Sequence, residues 1–122
     1  MGDVPILDQA IARLMILDQS SVFALADIAA ERVRQIEVSG ENWTPAHDDA
    51  HAPGELSLAG AAYALTPHTP KGKTFPMPLR WPWHRQWWKP KSRHRNLVRA
   101  GALIAAELAK HLRSAPGGVD HA

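Results

Sequence analysis

Six prolines, Pro67, Pro70, Pro76, Pro78, Pro82 and Pro90, together with Gly72, interrupt the chain between residues 66 and 90. Proline has no backbone N–H to donate, and its ring collides with the preceding helical turn, so no long helix or strand can run through this stretch. Regular structure is thereby confined to the segments on either side of a loop that is long for a compact domain. The same loop carries four of the five tryptophans, Trp81, Trp83, Trp87 and Trp88. Each indole can bury a large apolar area while keeping one N–H for a polar partner. The expectation is a loop folded back on helices through its tryptophans.

Outside the loop, apolar residues return at helical spacing and no alternation is sustained enough for strands. The pattern predicts an all-α bundle of four helices, at about 5–18, 22–38, 55–65 and 92–113. With 122 residues the chain is one domain by size, its core spanning about 5–113 and its C-terminal tail, 114–122, flexible. Leu7, Ile11, Leu14 and Met15 mark the first helix; Leu25, Ile28, Ala29, Arg32 and Ile36 form the best stripe of the second, which Gly40 stops. The last helix has Ser92 as its cap and the longest stripe, Leu97, Gly101, Ile104, Leu108 and Leu112. Gly101 in mid-helix costs about 1 kcal/mol relative to alanine, so its use is a close crossing against another helix. Leu14, Ile28, Leu56, Ile104 and Leu108 are the expected core, and residues 42–54, with Pro45, Pro53 and Gly54, read as a loop.

Charge is segregated along the chain. Residues 1–60 carry ten acids against three bases, whereas nine bases and no carboxylate lie between Glu55 and Glu107. The net charge of +2 therefore conceals two opposed fields. Cysteine is absent, which rules out disulfides and thiolate metal sites. No apolar run approaches the roughly 20 residues of a membrane span, and the acidic start has no basic leader. A cytoplasmic protein without membrane partners is expected.

Two clusters carry candidate chemistry. Asp48, Asp49 and Glu55 are hard oxygen ligands for Mg or Mn, Glu31 can extend the patch, and His47 can serve as ligand or base. If this site is catalytic, Asp48 and Asp49 bind the ion, Glu55 completes the shell or orients water, and His51 acts as base or ligand. The competing reading is local: Thr44 or Asp49 caps a turn, and Glu55 favours the start of the following helix. The second cluster is basic and aromatic. Trp81, Trp83, Trp87 and Trp88 offer ring faces for a base, while Lys89, Arg93 and Arg95 offer cations for phosphate. Tryptophan and arginine in that density equally suit a protein-binding hot spot.

Glu31-Arg32-Val33-Arg34-Gln35 followed by Trp43, His47 and Asp48, and the final segment from Leu97 to Ile104, resemble the MazG-like all-α nucleoside triphosphate pyrophosphohydrolases. With Trp81-Pro82-Trp83 and Trp87-Trp88-Lys89-Pro90 added, residues 27–113 are more similar still to a phage and prophage protein family distantly related to those enzymes. The resemblance implies a helical fold, a nucleotide-like phosphate ligand and a homo-oligomer. The enzymes hold magnesium with a glutamate-rich motif on one helix and a glutamate/aspartate pair on the next. Here Gly54-Glu55-Leu56-Ser57-Leu58 keeps one glutamate, and Arg95, Asn96, Val98 and Arg99 stand where acids belong. The leading expectation is a phage-type protein that binds a nucleotide or nucleotide-derived small molecule, with metal-dependent pyrophosphohydrolase activity if the site is rebuilt from Glu31, Asp48, Asp49 and Glu55. A non-enzymatic protein-interaction module is the alternative, and single-stranded nucleic-acid binding ranks third, because the acidic first half repels a long polyanion.

Overall fold

The fold was obtained as a computed structural model describing residues 3–37 and 39–114. It is all-α among those residues, with five helices: α1 (Asp3–Ile16), α2 (Gln19–Ile36), α3 (Pro45–Asp49), α4 (Glu55–Ala64) and α5 (Arg93–Ser114). Each of the four expected helices is present, with ends shifted by at most three residues. From residue 115 onward the expected flexible tail lies outside the described residues. No helix among the described residues is long and apolar enough to cross a membrane.

Short polar side chains set the boundaries. Asp18 receives the Ser21 amide at 3.0 Å and starts α2 only two residues after α1 ends. At the other end of α2 the chain folds back so tightly that Gly40 lies against the Arg34 carbonyl, where no Cβ fits. Ser92 caps α5 through the Arg95 amide at 3.1 Å, as its position suggests. Residues 42–54 contain a short helix where a loop was expected: Thr44 accepts the His47 amide at 3.3 Å and Pro45 occupies the first turn. Five residues are too few to show a hydrophobic period, so only the cap was visible beforehand.

The core forms where α4 crosses α5 and where α2 crosses α5. Leu56, Ala59 and Tyr63 of α4 meet Ala100, Leu103 and Ala106 of α5, and Trp81 and Trp88 from the proline-rich loop close the cluster. Small residues on both helices let the backbones approach. A Cβ on Gly60 would sit 3.1 Å from the Ala100 carbonyl oxygen, and one on Gly101 would sit 2.5 Å from Ile28 Cδ1. The close crossing read from Gly101 is thus the α2–α5 contact. Leu56 is buried and Ile28 partly so, as expected, whereas Leu14, Ile104 and Leu108 are about half exposed. Their correction has a physical reason: α5 turns its alanine face inward, and among the described residues no helix packs along α1.

Asn96, fully buried, fastens the loop. Its amide nitrogen donates to the carbonyls of Thr66, Pro67 and Lys91 within 3.1–3.3 Å, and its oxygen accepts the Lys91 amide at 2.7 Å. Both ends of a segment rich in prolines and poor in internal hydrogen bonds are thereby tied to one side chain. Glu107 does comparable work at α4, accepting from the Gly54 and Ser57 amides and the Ser57 hydroxyl; Gly54 has no side chain to cap that helix itself.

Candidate functional site

The buried side of α2 is polar. Glu31 and Gln35, which the stripe placed on the surface, are inside, while Leu25, Ala29 and Ile36 face outward. Arg34 grips both Glu31 oxygens (2.9 and 2.8 Å), Arg95 of α5 adds a third bond at 3.0 Å, and the Gln35 amide a fourth at 3.2 Å. Gln35 in turn accepts from Arg32 (3.0 Å), which reaches Asp48 of α3 at 3.2 Å. Burial alone would raise the Glu31 carboxyl, but hydrogen bonds and positive charge from Arg34 and Arg95 bring it down to about 2. The network joins α2, α3 and α5, and it consumes both Arg95 and Glu31.

The other candidate metal ligands are also engaged. Asp49 pairs with Arg113 at 2.7 Å, which holds its carboxyl below the usual range. Glu55 accepts the Ala52 amide (2.7 Å) and the Trp83 indole (3.0 Å) and stands 3.4 Å from His51 Nδ1. Its carboxyl is likewise lowered, first by the Ala52 amide and then by Trp83 and His51. Asp48 Oδ2 takes Arg32; Oδ1 has no hydrogen-bond partner, and His47 Nδ1 lies 3.5 Å from it. Among the described residues no group of three or more histidine, aspartate and glutamate side chains is placed to hold a metal ion.

What these helices bring together is an aromatic cleft. A cavity of about 320 Å³ is lined by Trp43, His47, His51, Trp83, His84 and Trp87. The His47 ring stacks on Trp43 at 5.6 Å, nearly parallel; His51 meets His47 edge to face at 5.0 Å and leans on Trp83 at 5.0 Å. Their spacing of four residues does place both imidazoles on one side, across the end of α3. His84 Nδ1 accepts the Gln86 amide at 3.1 Å, which directs a proton to Nε2. Trp43, Trp83 and Trp87 also border a second cavity of about 40 Å³, so the two are neighbours across shared rings. Arg34, Lys89 and Arg99 reach this second cavity.

Of the expected ligand-binding residues, Trp83 and Trp87 belong to the cleft, and Lys89 lines the smaller cavity beside it. Trp81 borders the smaller cavity from the core, and Trp88 is buried with its indole donating to the Phe75 carbonyl at 2.7 Å. Arg93 donates to the carbonyls of Ala64 and Thr66 at the end of α4. Sequence reasoning missed Trp43, His84 and Tyr63 as parts of the site. Tyr63 is the hub there: its hydroxyl donates to the Trp87 carbonyl (3.2 Å) and accepts from the Lys89 amide (3.0 Å) and Arg99 (3.3 Å). One tyrosine in an alanine-rich helix was the available signal. Comparison with family models, curated proteins and solved structures returned no match.

Proposed function

We propose that this chain binds a compact planar anion of nucleotide type, its ring held in the tryptophan–histidine cleft. The observation that carries the reading is the composition of the larger cavity: every lining residue is a tryptophan or a histidine. Its volume, about 320 Å³, falls in the range of roughly 300–1,000 Å³ usual for small-molecule sites. The neighbouring cations supply the anionic end. Lys89 rests over the Trp87 ring at 5.5 Å and Arg99 over Tyr63 at 5.2 Å, and neither is paired with a carboxylate among the described residues. Binding is favoured over metal-dependent pyrophosphohydrolysis because Glu31, Asp48, Asp49 and Glu55 are each committed to an arginine, an amide or an indole. A distant kinship with the MazG-like group, through a phage-type family, belongs to the same proposal and rests on the motifs quoted above.

Titration with nucleoside mono-, di- and triphosphates tests it. Tryptophan emission should be quenched with micromolar midpoints. Trp87→Ala, which removes a ring 43 % exposed and outside the core, should weaken binding about tenfold, since stacking on one aromatic ring is worth roughly 1–3 kcal/mol. Lys89→Ala should weaken the triphosphate more than the nucleoside. Silence across the whole panel, with and without magnesium or manganese, would rule the proposal out.

A further inference from the structure

The aromatic cleft leaves the N-terminal arm without a role. α1 is 14 residues long, a length at which an isolated helix is marginal in water. Its apolar side, Ile6, Leu7, Ile11 and Leu14, is nevertheless 46–62 % exposed, and no helix of its own chain packs along it. The junction to α2 is two residues, Leu17 and Asp18, Asp18 already caps α2, and among the described residues neither α2 nor α5 packs along α1.

A second uncovered stripe lies on α5. Leu97, Ile104 and Leu108 are 44–55 % exposed and share one side of the helix with Gly101, where Ile28 of α2 rests. The first stripe fits within the second: Leu7 to Leu14 and Leu97 to Leu108 run about 10 and 16 Å along their axes at ~1.5 Å per residue. Each of these side chains still exposes on the order of 100 Å², so covering both stripes, with their flanks, buries roughly 800 Å² per chain, the amount a stable dimer uses. Both surfaces belong to the same chain. A single two-fold exchange therefore covers both of them in both copies, whereas a foreign helix laid on α5 would leave α1 bare.

We propose that two copies of this chain exchange arms, the α1 of each lying over the Leu97/Ile104/Leu108 stripe of the other. The test uses the full chain at micromolar concentration. Its mass in solution should be twice 13.4 kDa. Ile11→Asp should reduce it to one chain while leaving the tryptophan emission unchanged, because Ile11 touches nothing in the aromatic core. The chain has no cysteine, so single substitutions report pairing cleanly. A mixture of Leu14→Cys and Leu108→Cys chains should form the mixed disulfide under mild oxidation. A single-chain mass for the unmodified protein, or a double mass that survives Ile11→Asp, overturns the proposal. So does a mixture in which the mixed disulfide does not form.

Discussion

Glu31 is 3 % exposed and receives four donors on its two oxygens, two of them from Arg34, one from Arg95 and one from Gln35. A buried carboxylate with this set of partners is costly to disturb, because removing the charge takes the shared partner from two guanidinium groups, which water can partly solvate since they are 38–41 % exposed. Glu31→Gln is expected to destabilise the fold by about 2 kcal/mol at neutral pH, read from the urea midpoint. The sign of its pH dependence follows from the lowered carboxyl. With a folded value of about 2 against an ordinary 4.5, the contribution is complete above the ordinary value and fades as pH falls from there toward 2. The gap in stability between the natural chain and Glu31→Gln should therefore close over that window. A gap that stays constant would show that the arginines do not act through this charge.

At the level of elements, the α2–α5 crossing depends on a missing methyl group. Gly101→Ala gains about 1 kcal/mol of helix propensity, but its Cβ would stand 2.5 Å from Ile28 Cδ1 and 2.8 Å from Ile28 Cγ1, and overpacking of that kind costs ~1–3 kcal/mol. A net loss of about 1 kcal/mol is expected, shrinking toward zero in an Ile28→Ala background where both Cδ1 and Cγ1 are gone; equal losses in the two backgrounds would mean the clash is relieved elsewhere. This crossing was legible in the sequence because a mid-helix glycine has few other uses, and the caps Thr44 and Ser92 were legible because capping is local. The polar face of α2 was not. Glu31 and Gln35 read as surface, and the residues that satisfy them, Arg95 and, through Arg32, Asp48, are distant along the chain. The cleft was half legible: the loop tryptophans and the histidine pair were marked, but Trp43, Tyr63 and His84 gain their roles only once α3, α4 and the loop are folded together. The exposed stripe on α1 was taken for core because periodicity shows that a face is apolar without showing what covers it.

Across the whole molecule, the opposed charges of the two halves meet in pairs between helices, Glu31 with Arg95 and Asp49 with Arg113, and Asp27 lies 3.1 Å from His94 Nε2. The basic residues of the loop tip are not drawn into this pairing; Lys71, Lys73, Arg80 and Arg85 have no carboxylate partner among the described residues. Packing of the loop falls instead to its rings, in a continuous chain: Trp43 to Trp83 at 6.4 Å, Trp83 to Trp81 at 5.5 Å, and Trp81 to Trp88 at 5.0 Å. Indoles this close, at interplanar angles of 62–79°, do not absorb light independently. Their transition dipoles couple, and the coupling adds a paired band to the far-ultraviolet dichroism beside the helical signal. Trp81→Phe should remove most of that band, leaving the Trp43–Trp83 share, while the helical minima persist, and a spectrum unchanged by the substitution would place the rings farther apart. Because Trp43 lies outside the loop and meets Trp83 within it, the share of the band that this pair contributes is an optical gauge of whether the proline-rich segment is docked.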